Sequence, residues 1–134
     1  ILVVVFLTCL SVNYAFAKYL NVFVGSLIAE KHDVANEARS IMENHSNPSV
    51  IVFANDASYN YLFENLSVPT YSGNTKNILD ATSIISDPEL VFVVSDLRVD
   101  GADKEAEILT GRRFHSIKIG LTSLYWKQVG SNIK

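Results

Sequence analysis

LVFVVSDLRVDG, residues 90–101, decides how this chain folds. An apolar run from Leu90 to Val94 stops abruptly at Ser95-Asp96. An uninterrupted, valine-rich run of that length, closed by turn residues, is a strand covered on both faces. Strands of that kind belong to sheets with helices packed above and below. The carboxylate of Asp96 then stands at the C-terminal end of a buried strand, the edge where open α/β sheets bind ligands. Asp96 is a site residue or a turn residue, and the strand alone does not distinguish them.

Working outward, helical and strand periods alternate. Upstream, SVIVFA at 49–54 is a second buried strand, entered through the turn signal Asn47-Pro48. Val34, Ala38, Ile41 and Met42 fall on one stripe of a helix between Lys31 and Glu43. YLNVFV at 19–24 is rich in β-formers, runs into Gly25-Ser26 and is expected as the first strand. Asn55-Asp56 turns the chain toward a weakly alternating edge strand at Tyr59–Phe63, and Pro69–Asn74 reads as a loop. Thr75 to Ile85 is a helix broken by Asp87-Pro88. After Asp96, Asp100 or Asp103 can cap a helix with Ala106 and Leu109 on its inner face and Gly111 as its stop. Phe114–Ile119 is a further strand, ended by Gly120.

This order predicts an α/β fold: a three-layer, doubly wound, mainly parallel sheet of Rossmann-like type with one antiparallel edge strand. If YLNVFV and Leu90–Val94 are central neighbours, Gly25-Ser26 and Ser95-Asp96 meet at the crevice where the chain switches faces. The loop Ser72-Gly73-Asn74-Thr75 adds a hydroxyl there. One carboxylate and two hydroxyls, Asp96, Ser26 and Thr75, are hard-cation ligand types.

The N-terminal residues carry a different signal. ILVVVFLTCL at 1–10 is almost wholly apolar, and the first charge is Lys18. A short apolar core ending at Ala15-Phe16-Ala17 fits a secretory signal peptide over residues 1–17, with a domain over 18–134. Ser11, Asn13 and Tyr14 interrupt the run before the roughly 20 residues a membrane span needs. No stable span is therefore expected after cleavage, and the localisation is extracellular. Asn44-His45-Ser46 and Asn65-Leu66-Ser67 are acceptable glycosylation sequons, at Asn44 and Asn65. The single cysteine, Cys9, lies inside the leader, so the remaining chain has no disulfide and no catalytic thiol.

Composition narrows the function classes. The net charge is −3 and the eleven Lys and Arg form no basic stripe, which argues against nucleic acid as a partner. His32, His45 and His115 lack metal-ligand spacing. The acids Asp100, Asp103, Glu105 and Glu107 read as the start and solvated face of a helix. Tyr125-Trp126-Lys127 is either a partner contact or an aromatic pair covering the core. No Gly-x-Gly-x-x-Gly, Walker or Gly-x-Ser-x-Gly motif is present.

The run ELVFVVSDLRVDGADKEAEILTGRRFHSIKIGLT, with SVIVFANDASYNYLFENLS and SGNTKNILDATSII before it, resembles a von Willebrand factor A domain. That resemblance spans about Lys18 to Gly120. It implies a metal-ion-dependent adhesion site built from an Asp-x-Ser-x-Ser loop, a threonine and a later aspartate around Mg²⁺. Carried onto this sequence, the residues are Ser26, Thr75 and Asp96, with Val24 where the first aspartate belongs and Ile28 where the last serine belongs. Losing that carboxylate removes charge that offsets dehydration of Mg²⁺. The expectation is a remnant site with no metal or weakly bound Mg²⁺, on a secreted adhesion module that binds a protein or extracellular-matrix partner and is not an enzyme. The alternative is the first half of a nucleotide-sugar transferase. For this family LTSLYWKQVGSNIK, from Leu121, is only the approach to a further helix; the last strand and helix are missing, and an open edge beside Phe114–Ile119 invites self-association.

Overall fold

A computed structural model describes residues 1–45, 48–64, 66–84 and 90–129. The chain divides into two units, residues 1–30 and residues 31–134. A single helix, α1 (Leu2–Glu43), supplies the first unit and, from Lys31, the opening element of the second. YLNVFV is therefore helical, which corrects the expected first strand. No Gly or Pro precedes Gly25, so nothing breaks a helix once it is nucleated. A helix also pairs its own backbone groups, whereas an isolated apolar strand leaves them open.

The second unit continues as β1 (Val50–Ala54), α2 (Ser58–Glu64), β2 (Thr70–Ser72), α3 (Thr75–Ile84), β3 (Leu90–Asp96), α4 (Ala102–Gly111), β4 (His115–Ile119) and β5 (Thr122–Gln128). The five strands form one sheet in the order β2-β1-β3-β5-β4. β1 lies parallel to both β2 and β3, while β5 runs antiparallel to both β3 and β4. The class is α/β, as the alternating periods require, and the sheet is mixed.

Strand side chains alternate between two faces, and each face buries its own cluster. Val52, Ala54, Leu90, Phe92, Val94 and Leu124 pack with Val34, Ala38 and Ile41 of α1 and Tyr59 and Phe63 of α2. Phe53, Val91, Val93 and Tyr125 pack with Ile78, Leu79 and Leu109 from α3 and α4. Every residue of β3 is buried, the state its composition demanded.

Three local expectations are overturned. Tyr59–Phe63 is not an edge strand: Tyr59 and Phe63, four apart, are the two buried residues of helix α2. Asp56 starts that helix by accepting hydrogen bonds from the Ser58 backbone N–H (2.9 Å) and hydroxyl (2.8 Å). Within the loop expected at Pro69–Asn74, Thr70–Ser72 forms the short strand β2. Finally, TSLYWKQ is strand β5, hydrogen-bonded between β3 and β4, and not an approach to a helix. Tyr125 and Trp126 accordingly pack against opposite clusters, the core-covering option for that pair. β4 is an edge strand, as expected of 114–119, but β5 pairs its inner side. The turn signals Asn47-Pro48 and Asp87-Pro88 fall partly or wholly outside the described residues.

Two cations cap helix ends, one from the neighbouring helix and one from the sheet. Arg112 Nη1 donates to the Leu79 carbonyl (2.9 Å) and the Thr82 hydroxyl (2.8 Å) near the end of α3. Lys127 Nζ donates to the Arg112 carbonyl just past α4 (2.8 Å). Positive charge at helix C-termini offsets the orphan carbonyls and the dipole.

The position of β5 has a direct test. Leu124 is fully buried against β3 and α2, so Leu124→Ala should cost about 2–5 kcal/mol in chemical denaturation. A loss within about 0.5 kcal/mol, the surface level, would place residues 122–128 outside the core.

Candidate functional site at the C-terminal edge of the parallel strands

The chain leaves β1 toward α2, whose side chains join one cluster. It leaves β3 toward α4, whose side chains join the other. The face switch therefore lies between β1 and β3, and the loops that meet there are 55–58 and 97–101. Asp96 stands at this point, as the sequence implied, but its neighbour is Asn55-Asp56 and not Gly25-Ser26.

Asn55 fastens the two strand ends together. Its Oδ1 accepts from the Asp96 backbone N–H (2.8 Å), and its Nδ2 donates to the Asp96 carbonyl (3.2 Å) and the Ser95 hydroxyl (3.3 Å). An amide carries one donor and one acceptor end, so it can serve both backbone groups of a residue on the neighbouring strand.

Asp96 is 5% exposed, and its carboxylate is taken up within its own loop. Oδ1 accepts from the Arg98 backbone N–H (2.9 Å) and Nε (2.7 Å), and Oδ2 from Nη2 (2.9 Å). This is the bidentate fork that suits a guanidinium. Asp56 is held by Lys31, whose ammonium lies 3.5 Å from Oδ2, contacts the Ser58 hydroxyl and sits 5.1 Å above the Tyr59 ring. Burial pushes the Asp56 carboxyl up. The Ser58 hydrogen bonds and the Lys31 charge outweigh it and leave the group below the ordinary carboxylate range.

Of the three residues expected at a remnant metal site, Thr75 and Asp96 lie at this edge. Thr75 opens α3, and its hydroxyl donates to the Asp100 carbonyl (3.4 Å) across to the β3–α4 loop. Gly101, at φ +86°, permits that approach, since a Cβ there would sit 3.1 Å from Thr75 Oγ1. Ser26 is instead a residue of α1, and its hydroxyl donates to the Phe23 carbonyl (2.7 Å). It is not on a loop that follows a strand, which corrects the placement expected from Gly25-Ser26. Among the described residues, no three His, Cys, Asp or Glu side chains gather as a metal site. Asn44 is exposed just past α1, whereas Ser46 of its sequon and Asn65 lie outside the described residues.

Sequence reasoning missed Glu105. It was expected on a solvated helix face with Asp100, Asp103 and Glu107, yet it is fully buried. Neither carboxyl oxygen has a hydrogen-bond partner among the described residues. Burial pushes its pKa up; the Ser95 and Thr75 hydroxyls pull the other way but close no bond of good geometry. The Thr75 hydroxyl is directed at Asp100 instead. The signal lay in spacing: Ala102, Glu105 and Leu109 form the buried stripe of α4, a helical i, i+3, i+7 pattern that includes an acid.

The edge also carries an apolar hollow of about 180 Å³ beside β2, lined by Phe53, Tyr71, Gly73, Asn77, Ile78 and Ala81 among others. Tyr71 stands 57% exposed at its rim, with its ring 6.0 Å from that of Phe53. Comparison with known proteins gives no match, whether to family models, to curated proteins or to solved structures.

Glu105 makes stability depend on pH. Its folded pKa lies above the unfolded value, so the native state holds a proton over that interval that the unfolded chain has released. Stability is greatest below the unfolded carboxylate pKa and falls as pH rises through the folded one, by at most about 1.4 kcal/mol per pH unit for one proton. Glu105→Gln should therefore raise the stability at neutral pH and flatten this part of the profile in urea titrations. A variant no more stable than wild type at pH 7 would show that Glu105 is ionised and stabilised in the native fold.

Proposed function

We propose that the second unit is an interaction module of von Willebrand A type that binds a protein or extracellular-matrix partner without a bound metal, on the outer or lumenal side of the cell. The observation that carries this reading is the pairing of two carboxylates at the face switch with cations of the same chain, Asp96 with Arg98 and Asp56 with Lys31.

Support for the family-like arrangement comes from what the three loops hold. The loop after β1 contains Asp56-Ala57-Ser58, with Asn60 two residues further on. Thr75 begins α3 and Asp96 ends β3. That is the order of an Asp-x-Ser-x-Ser loop, a threonine and a later aspartate, with asparagine in place of the last serine. It starts from β1 and not from residues 19–24. In such a site Mg²⁺ would neutralise the carboxylates. Here an ammonium and a guanidinium supply that positive charge, so a cation gains little by displacing them.

The contact surface on this reading is the rim around Tyr71. An exposed tyrosine beside an apolar hollow offers a partner side chain a desolvated pocket with a polar edge, the composition of binding hot spots.

Two outcomes are expected. The melting temperature of the full chain should be the same in millimolar Mg²⁺ as in EDTA. A metal at 100 times its dissociation constant would add about 2.7 kcal/mol, a shift of several degrees that would restore a metal-dependent mechanism. Adhesion of cells displaying the chain to collagen, laminin or fibronectin should survive EDTA and fall about tenfold or more in Tyr71→Ala. Adhesion that EDTA abolishes, or that Tyr71→Ala leaves intact, would refute the reading.

A further inference from the structure

We infer that the apolar N-terminal helix is retained in the chain as a lipid-bilayer anchor and is not removed as a leader. The inference rests on α1 alone and is independent of the binding reading above.

The apolar surface does not end at the Ala15-Phe16-Ala17 sequence. Beyond it Tyr19, Leu20, Val22, Phe23, Val24 and Ile28 are all exposed, from 40% to 67%. Cleavage after Ala17 would leave all six facing water on a segment, residues 18–30, whose only charges are Lys18 and Glu30. Removing the leader therefore relieves only part of the exposure. The Ala-Phe-Ala stretch is itself in the middle of a continuous helix.

Several features suit hydrocarbon as the surrounding medium. Leu2 to Tyr19 is roughly 27 Å long at about 1.5 Å per residue, close to the roughly 30 Å of a bilayer core. Val3, Val4, Val5, Phe6 and Leu7 are consecutive and all exposed, so the apolar surface encircles the helix and is not a stripe. A stripe would suit a second helix or a domain face; an encircling surface suits lipid. The two aliphatic hydroxyls within this stretch are already bonded: Thr8 donates to the Val4 carbonyl (2.8 Å) and Ser11 to the Leu7 carbonyl (2.9 Å). Neither brings an unpaired donor into the bilayer. Lys18 and Tyr19 close the stretch at one end, where a lysine can extend to the headgroups and tyrosine is favoured. The helix is long and apolar enough to cross a membrane, and none of its most apolar window is buried.

The test expresses the full chain, with a C-terminal epitope, in secretory cells and reads two properties: resistance of the membrane-bound chain to alkaline carbonate, and intact mass. The chain should stay in the carbonate-resistant pellet at full mass, and Ala17→Leu, which spoils the small-x-small sequence, should change neither property. Leu7→Arg, which places a charge deep in the apolar stretch, should reduce the pellet fraction about tenfold. A soluble product beginning at Lys18 would overturn the inference, as would a full-length chain that carbonate releases. Retention of Leu7→Arg at the wild-type level would overturn it too, since the helix would not then be what holds the chain.

Discussion

The second unit depends on β3 being buried along its whole length. Seven consecutive residues without solvent contact leave fourteen backbone polar groups that water cannot reach, each of them costly if unpaired. A neighbour on both sides is therefore obligatory, and the chain supplies β1 on one side and β5 on the other. The first is reached by parallel crossovers and the second by a hairpin that returns antiparallel, so the mixed sheet follows from what each connection can span. The face switch between β1 and β3, and every loop that gathers there, is a consequence of that placement.

What was legible in the sequence follows the same physics. β3, β1, α3 and the existence of α4 were readable because burial forces strong patterns: Leu90–Val94 admits no polar residue, and Ile78 and Leu109 each fall on the buried side of their helix. The misread segments are those whose local pattern was short or carried two meanings. Tyr59 and Phe63 satisfy an alternating strand and an i, i+4 helix equally well, and the Asp56 turn decides between them. Thr70–Ser72 is too short to have a period, and exists as a strand because β1 offers it hydrogen bonds. TSLYWKQ reads as the approach to a helix only through the family pattern, while its own alternation is that of a strand. YLNVFV was judged by β-propensity, a weak preference that an unbroken helix on either side overrides.

At the C-terminal edge of the parallel strands the sequence located Asp96 but not its chemistry, because a carboxylate's role is set by what faces it. Three acids within this part of the fold meet three different environments. Asp96 has a fork of donors two residues away, which fixes the loop that follows β3. Asp56 has a helix start and a distant lysine, 25 residues back in α1. Glu105 has neither, and lies on the helix that the Asp96–Arg98 loop leads into. Motif order can say that acids meet at a sheet edge. Only the structure distinguishes a neutralised pair from an unpaired carboxyl, and the two differ in sign as contributions to stability at neutral pH.

The contrast between the two parts of α1 extends this argument to the whole chain. From Lys31 onward the helix is amphipathic: Val34, Ala38 and Ile41 are buried, and Glu37 and Arg39 are exposed. From Val3 to Leu7 no such division exists: residues of every helical phase there are apolar and exposed. A helix acquires a stripe when it meets a folded core on one side and water on the other. It is uniformly apolar when a single apolar medium surrounds it. On the anchor inference, the surroundings of the helix change between Tyr19 and Lys31, within one continuous helix. That change coincides with the division of the chain into its two units.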